Sequence, residues 1–175
     1  VSYPSDIYEH QGILSLVKEL SIKDGKLYQT PVKGIEKLRQ SSLPFNKYIK
    51  NTSNCYELNL KLEGDMIYEL VLFSDKDDNG LSLIFNLVDG EVVVDRSKVG
   101  ENFATEFSSV RTAPIAPADT TARIFIDNSV FEIFINDGEM VFSGRVFPRE
   151  NQTHISILQG DPTGVYYPLL SFTNP

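Results

Sequence analysis

Along most of the chain, hydrophobic and polar residues alternate with a period of two. Tyr56, Leu58, Leu60 and Leu62 are interleaved with Glu57, Asn59, Lys61 and Glu63. That pattern predicts a strand with one buried and one solvated face. Similar short strands are expected at Ile67 to Phe73, Leu81 to Val88, Glu91 to Asp95 and Glu106 to Arg111. Later ones fall at Arg123 to Asp127, Val130 to Ile135, Met140 to Phe147, His154 to Gln159 and Val165 to Phe172. Three Asp-Gly pairs (Asp24-Gly25, Asp89-Gly90 and Asp137-Gly138) punctuate these runs. Because both residue types tolerate positive φ, each pair predicts a two-residue hairpin. The stretch Thr112 to Asp119, with Pro114 and Pro117, reads as a crossing connection between sheets. One helix is expected, capped by Thr30, with Pro31 in its first turn and an apolar stripe of Val32, Ile35 and Leu38. Gly34 weakens it and keeps it short. The expected fold is all-β: a two-sheet antiparallel β-sandwich with one short peripheral helix.

Composition narrows the function classes. The chain has 175 residues, room for one ordinary domain. Its 16 basic and 24 acidic residues leave a net charge of −8, which repels phosphate backbones and argues against nucleic acid as a partner. No apolar run approaches the ~20 residues needed to cross a bilayer, so no membrane partner is expected. The single cysteine, Cys55, rules out an internal disulfide and a cysteine-built zinc site. The chain opens at Val1, and Val1 to His10 lacks the basic-then-apolar pattern of a signal peptide.

Candidate chemistry is sparse. The loop Asp75-Lys76-Asp77-Asp78-Asn79-Gly80 matches the first half of a calcium loop, but its twelfth position is Asn86 rather than glutamate. An exposed hairpin turn uses the same residues. The two histidines, His10 and His154, are far apart, and no G-x-S-x-G elbow accompanies them. Cys55 is expected to pack as a small apolar residue at a strand start. Glu132, framed by Phe131 and Ile133, falls on the opposite face from them, which is expected to be solvated. Tyr166 and Tyr167 must point to opposite faces, so at most one belongs to the core. Sequons occur at Asn51-Thr52-Ser53 and Asn151-Gln152-Thr153. No phosphate-cradling glycine loop and no tryptophan for sugar stacking is present.

Two segments are more specific. One runs Leu16-Val17-Lys18-Glu19-Leu20-Ser21-Ile22-Lys23-Asp24-Gly25-Lys26-Leu27-Tyr28-Gln29-Thr30-Pro31-Val32. The other runs Arg123-Ile124-Phe125-Ile126-Asp127-Asn128-Ser129-Val130-Phe131-Glu132-Ile133-Phe134-Ile135-Asn136-Asp137-Gly138-Glu139, continuing to Arg145-Val146-Phe147-Pro148. In this order the two blocks resemble the C-terminal β-sandwich module of glycoside hydrolase family 32. That family includes invertases, sucrose-6-phosphate hydrolases, inulinases and levanases. The chain departs from it at Val17-Lys18, where members often read Pro-Arg, and at Asn128 and Val130, where Arg and Ser are commoner.

The resemblance implies a two-part enzyme in which a five-bladed propeller carries catalysis. The propeller's acidic blocks, Asn-Asp-Pro-Asn-Gly, Arg-Asp-Pro and Glu-Cys, do not occur here; Gly160-Asp161-Pro162 and Asn54-Cys55 are the nearest approaches. No catalytic, cofactor-binding or metal-binding residue is therefore expected, and no cofactor. Residues 1–12 are expected to be the remnant of an interdomain connection in a longer polypeptide, and 13–175 a single sandwich module. The expected role is accessory: packing against and stabilising the catalytic propeller of the same polypeptide, with a homodimer also compatible. One apolar patch should then stand exposed where the partner packs. The alternative is an independent, lectin-like carbohydrate-binding module. A bacterial cytoplasmic location is favoured, with secretion left open.

Overall fold

The computed structural model describes residues 12–45, 47–50 and 52–170, and among them fourteen strands form. In chain order they are β1 (Lys18–Lys23), β2 (Lys26–Pro31), β3 (Leu43–Pro44), β4 (Tyr48–Ile49), β5 (Cys55–Leu62), β6 (Ile67–Ser74) and β7 (Leu81–Asn86). There follow β8 (Glu91–Asp95), β9 (Val110–Pro114), β10 (Thr120–Asp127), β11 (Val130–Ile135), β12 (Met140–Arg145), β13 (His154–Gln159) and β14 (Thr163–Pro168). Sheet I has the order β12-β11-β10-β5-β14-β3, and sheet II the order β4-β13-β6-β7-β8-β9. All the pairings are antiparallel, so the expected all-β, two-sheet architecture is the one the chain adopts. Strands β1 and β2 form a separate ribbon.

The inner faces follow the period of two. Leu58, Ile124 and Ile133 of sheet I meet Leu70, Leu83 and Phe85 of sheet II, all fully buried. Tyr166 joins this core, whereas Tyr167 lies half-buried on the outer face of sheet I, as alternation requires. The chain crosses from β9 in sheet II to β10 in sheet I through residues 115–119, the later part of the proline-bearing stretch; Thr112 to Pro114 belong to β9 itself.

Asp24 (φ 49°) and Gly25 (φ 77°) close the β1–β2 turn in two residues, because each tolerates positive φ. The other two Asp-Gly pairs behave differently. Strands β7 and β8, and β11 and β12, are joined by four-residue turns in which the pair occupies the third and fourth, or second and third, positions. Local bonds support the longer loops: the Asn86 side chain donates to Asp89 and accepts from the Asp89 amide. The tight two-residue turn falls instead at Asn128-Ser129, with Asn128 at φ 51°.

The expected helix is not α-helical. Pro31 ends β2 opposite Lys18, Thr30 pairs with Glu19 and caps nothing, and Lys33–Leu38 is a 3₁₀ turn. Val32, Ile35 and Leu38 recur every three residues, the period at which 3₁₀ side chains eclipse. Their spacing therefore suits the tighter helix as well. The strand expected at Glu106 to Arg111 begins only at Val110; Thr105–Phe107 is a second 3₁₀ turn between Ala104 and Ser108, both at positive φ. His10, Asn51, residues 1–11 of the expected connection and the end of the expected strand at Phe172 lie outside the described residues.

Candidate functional site

The outer face of sheet I carries the chemistry that the alternation assigned to water. Glu57 on β5 is 0% exposed and Glu132 on β11 is 1% exposed. The solvated face expected for Glu132, and for the polar side of β5, is thus corrected. Both residues do point away from the sandwich core, but a second layer covers them. That layer consists of residues 14–17, the 3₁₀ turn Lys33–Leu38 and Arg39.

Around Glu57 the layer is ionic. Arg39 donates from Nε to Oε2 at 2.7 Å and from Nη2 to Oε1 at 2.8 Å. Arg123, two positions along the neighbouring strand, donates from Nε to Oε1 at 2.9 Å. Asn59, in the amide orientation that satisfies both of its ends, donates to Glu57 at 3.0 Å and accepts from Arg39 at 3.2 Å. Glu36 stands 3.6 Å from each arginine. The Arg39 guanidinium rests 4.5 Å above the Tyr167 ring, which fixes its plane. Its hydrogen bonds to Glu57 outweigh partial burial and raise its pKa above the ordinary arginine value.

Around Glu132 the contacts come from Leu16 just before the ribbon, Lys18 at the start of β1 and Ser143 on β12. Lys18 Nζ lies 2.7 Å from Oε2, and the Leu16 amide donates to Oε1 at 2.5 Å. Ser143 Oγ donates to Oε2 at 3.0 Å and accepts from Lys18 at 3.3 Å. Between these two ionic knots lies a small second core. Phe125 and Phe134 meet edge to face at 5.8 Å, with Leu169, Leu16, Ile35 and Leu38 packed about them.

This arrangement leaves little room for glycoside chemistry. Such chemistry needs one carboxyl to give a proton and another to attack or activate water. Each oxygen of Glu57 and Glu132 already accepts from a cation or an N–H or O–H group, so the pair serves as cross-links between layers.

The other singled-out residues are dispersed. Asp75 Oδ1 accepts from the amides of Asp77 (2.9 Å) and Asn79 (3.0 Å). Burial pushes the Asp75 pKa up, but these bonds, the Asn79 side chain and the charge of Arg149 outweigh it and hold the group below its ordinary value. The carboxylate that would lead a calcium loop is thus turned onto its own backbone. Among the described residues, no three His, Cys, Asp or Glu side chains gather where a metal could bind. Cys55 begins β5, half-buried, with its pKa raised to about 11 by burial and by the negative charge of Asp127. His154 opens β13 against the Tyr48 ring. Asp161 is exposed in the β13–β14 turn, and Asn151, of the second sequon, is likewise exposed.

Comparison with known proteins places this architecture. The family model described as "Glycosyl hydrolases family 32 C terminal" matches residues 23–167. The chain belongs to this family. It is 49% identical over 169 residues to a sucrose-6-phosphate hydrolase of Streptococcus mutans, covering 97% of this chain and 35% of that protein. It is 40% identical over 160 residues to one from Lactococcus lactis, covering 88% of this chain and 31% of the relative. The solved sucrose-6-phosphate hydrolase of Lactobacillus gasseri superimposes with a TM-score of 0.90 at 33% identity, over 98% of this chain and 37% of that one. An exo-inulinase from Aspergillus awamori shares the fold at 18% identity and TM-score 0.72, over 88% and 35% of the two chains. The chain thus spans about a third of the length of the relatives it matches. Among the described residues, no helix is long and apolar enough to cross a membrane.

Lys18, Glu132 and Arg123 belong to the two blocks that carry the family resemblance, whereas Glu57 and Arg39 lie outside both. Glu57 and Arg123 occupy polar positions of separate predicted strands, and only the β5–β10 register makes them neighbours. Arg39 reaches them from outside both sheets.

Proposed function

We propose that this chain is the non-catalytic accessory module of a glycoside hydrolase acting on β-fructofuranosidic bonds. In this reading it packs against and stabilises a five-bladed propeller that forms the catalytic part of the same polypeptide. The observation that carries the reading is the ribbon. Leu20, Ile22 and Leu27 share one of its faces and remain exposed, Leu20 and Ile22 at 66% and 77%. Val17 and Leu14, in the irregular segment leading in, are exposed as well. A contiguous apolar row of this kind marks a surface that another protein surface covers. Relatives in which about two-thirds of the chain lies outside the matched part have such a surface to offer.

The substrate inferred from the sucrose-6-phosphate hydrolases among its relatives is sucrose 6-phosphate, with sucrose and fructans as the wider class. A phosphorylated sugar is doubly charged and does not cross a bilayer unaided, so the bacterial cytoplasm is the compartment that suits this reading.

Hydrolysis of sucrose and sucrose 6-phosphate by this chain, alone and mixed with the separately expressed remainder of such an enzyme, tests the proposal. No turnover alone, with a higher melting temperature or more activity on mixing, is expected. Robust turnover by the chain alone sinks it. Saturable binding of sucrose, inulin or levan by the chain alone would favour the lectin-like alternative. Sedimentation of the chain alone tells whether a second copy takes the ribbon face instead.

A further inference from the structure

Arg96, Arg111 and Arg145 line one cavity of about 180 Å³ at the flank of the sandwich, where edge strands β9 and β12 leave a mouth between the sheets. At about 30 Å³ per water, it has room for a tetrahedral oxyanion and part of its hydration shell. The three guanidiniums come from separate segments. Arg111 stands on β9 opposite the inward-facing Val94, Arg96 follows β8, and Arg145 ends β12.

Two of the cations are held in place before any ligand arrives. The Arg96 guanidinium lies 4.2 Å over Phe103 and that of Arg145 lies 4.7 Å over Phe147. The two rings meet edge to face at 5.4 Å, so one aromatic pair supports both charges. Arg96 donates to the Phe103 carbonyl at 2.7 Å and Arg111 to the Ser108 carbonyl at 3.2 Å. Ser108 itself sits at φ 67°, ψ 148°, a region seldom used by residues other than glycine, and its neighbour Ser109 lines the cavity.

Among the described residues, no acid answers the charges of Arg96 and Arg111: neither forms an ion pair, and no Asp or Glu lines the cavity. Asp95 adjoins Arg96 in sequence but alternates to the other face, where it accepts from the Ser97 amide. Partial burial and the nearby charge of Arg111 both disfavour the cationic form of Arg96. An inward-pointing charge on an edge strand can serve simply to block strand addition, and that would explain Arg111 alone. It does not explain a second guanidinium lining the same cavity in a chain with a net charge of −8.

We propose that this cavity is a binding site for a phosphate group, held by Arg96 and Arg111. The dianion would supply the counter-charge the fold omits, in the geometry guanidinium recognises best. The test is calorimetric titration of the 175-residue chain at constant ionic strength with inorganic phosphate, glucose 6-phosphate, glucose and sulfate. Saturable binding of phosphate or glucose 6-phosphate, with none for glucose, is expected. Equal affinity for the two assigns the site to free phosphate, and tighter glucose 6-phosphate assigns it to a phosphate ester. Arg96→Gln and Arg111→Gln should each weaken binding about tenfold or more, while Arg111→Lys retains part of it. Circular dichroism of each variant confirms that it is folded, and Arg96→Lys replaces any that is not. Absence of saturable binding, sulfate bound as tightly as phosphate, or folded variants that bind like the parent would overturn the assignment.

Discussion

Arg39 grips Glu57 with two parallel hydrogen bonds, Nε to Oε2 and Nη2 to Oε1, on a sheet face that leaves Glu57 no contact with water. Arg39 belongs to neither sheet, so this fork pins the segment after the 3₁₀ turn onto the sandwich. The isolated bridge between Arg39 and Leu169 reinforces it.

Removing the acid should therefore cost more than removing the whole cluster. Glu57→Ala leaves two arginines facing each other and should destabilise by about 2–4 kcal/mol, toward the low end because both guanidiniums keep some solvent. Replacing Glu57, Arg39 and Arg123 together by Leu, Met and Met should recover most of that loss. Urea denaturation of the parent and the two variants measures both effects, and a triple variant no more stable than Glu57→Ala would contradict the account.

Lys18 makes a single-point contact with Glu132 where an arginine could make two. Lys18→Arg is expected to stabilise by about 0.5–1 kcal/mol, and Lys18→Ala to destabilise by about 1–3 kcal/mol by leaving a buried carboxylate without its cation. Thermal unfolding of the two variants should shift in opposite directions.

The Cys55 thiol, with its pKa raised to about 11 from 9.0, holds about a hundredfold less thiolate at pH 8 than a free cysteine does. Alkylation by iodoacetamide should be slower in the folded protein by at least that factor. It should reach the free-thiol rate in urea.

Asp75 has a depressed pKa in the folded state, so its contribution to stability is present in full above the unfolded carboxyl value of 3.8. That contribution is lost as pH falls through the folded value. Asp75→Ala should accordingly be less stable than the parent at pH 7, and the gap should close on acidification below pH 4. A gap that persists unchanged at pH 2 would show that the carboxylate charge is not what matters.

The exposed ribbon makes a different prediction. Leu20→Ser with Ile22→Ser should leave unfolding stability within about 0.5 kcal/mol, because neither side chain packs on the sandwich. The same pair of changes should reduce dye binding to exposed apolar surface and weaken association with the catalytic part. Loss of stability comparable to a core substitution would mean that the ribbon supports the fold itself.

Period-two alternation was enough to identify most strands of the two large sheets and their inner faces, since burying one face of a strand demands it and the inner rows Tyr56 to Leu62 and Leu81 to Leu87 obey it. The short strands Leu43–Pro44 and Tyr48–Ile49 carry too few residues to show it. The Asp24-Gly25 turn and the two family blocks were legible for a related reason: local backbone conformation and residue order are properties of contiguous sequence. The spacing of Val32, Ile35 and Leu38 holds the 3₁₀ period, although three apolar residues in one short segment suit either helix.

What the sequence could not disclose is whether an outward face stays outward. Glu132 lies 116 residues from Leu16, and Glu57 lies 66 from Arg123. A period of two says only that such a carboxylate leaves the core; whether water or a second layer meets it depends on contacts made across the whole chain. The same limit hid the three arginines of the flank, which share a cavity only because β9 and β12 both end as edges of facing sheets. Strand content and turn chemistry follow from neighbours in sequence, while charge pairing and cavities follow from neighbours in space.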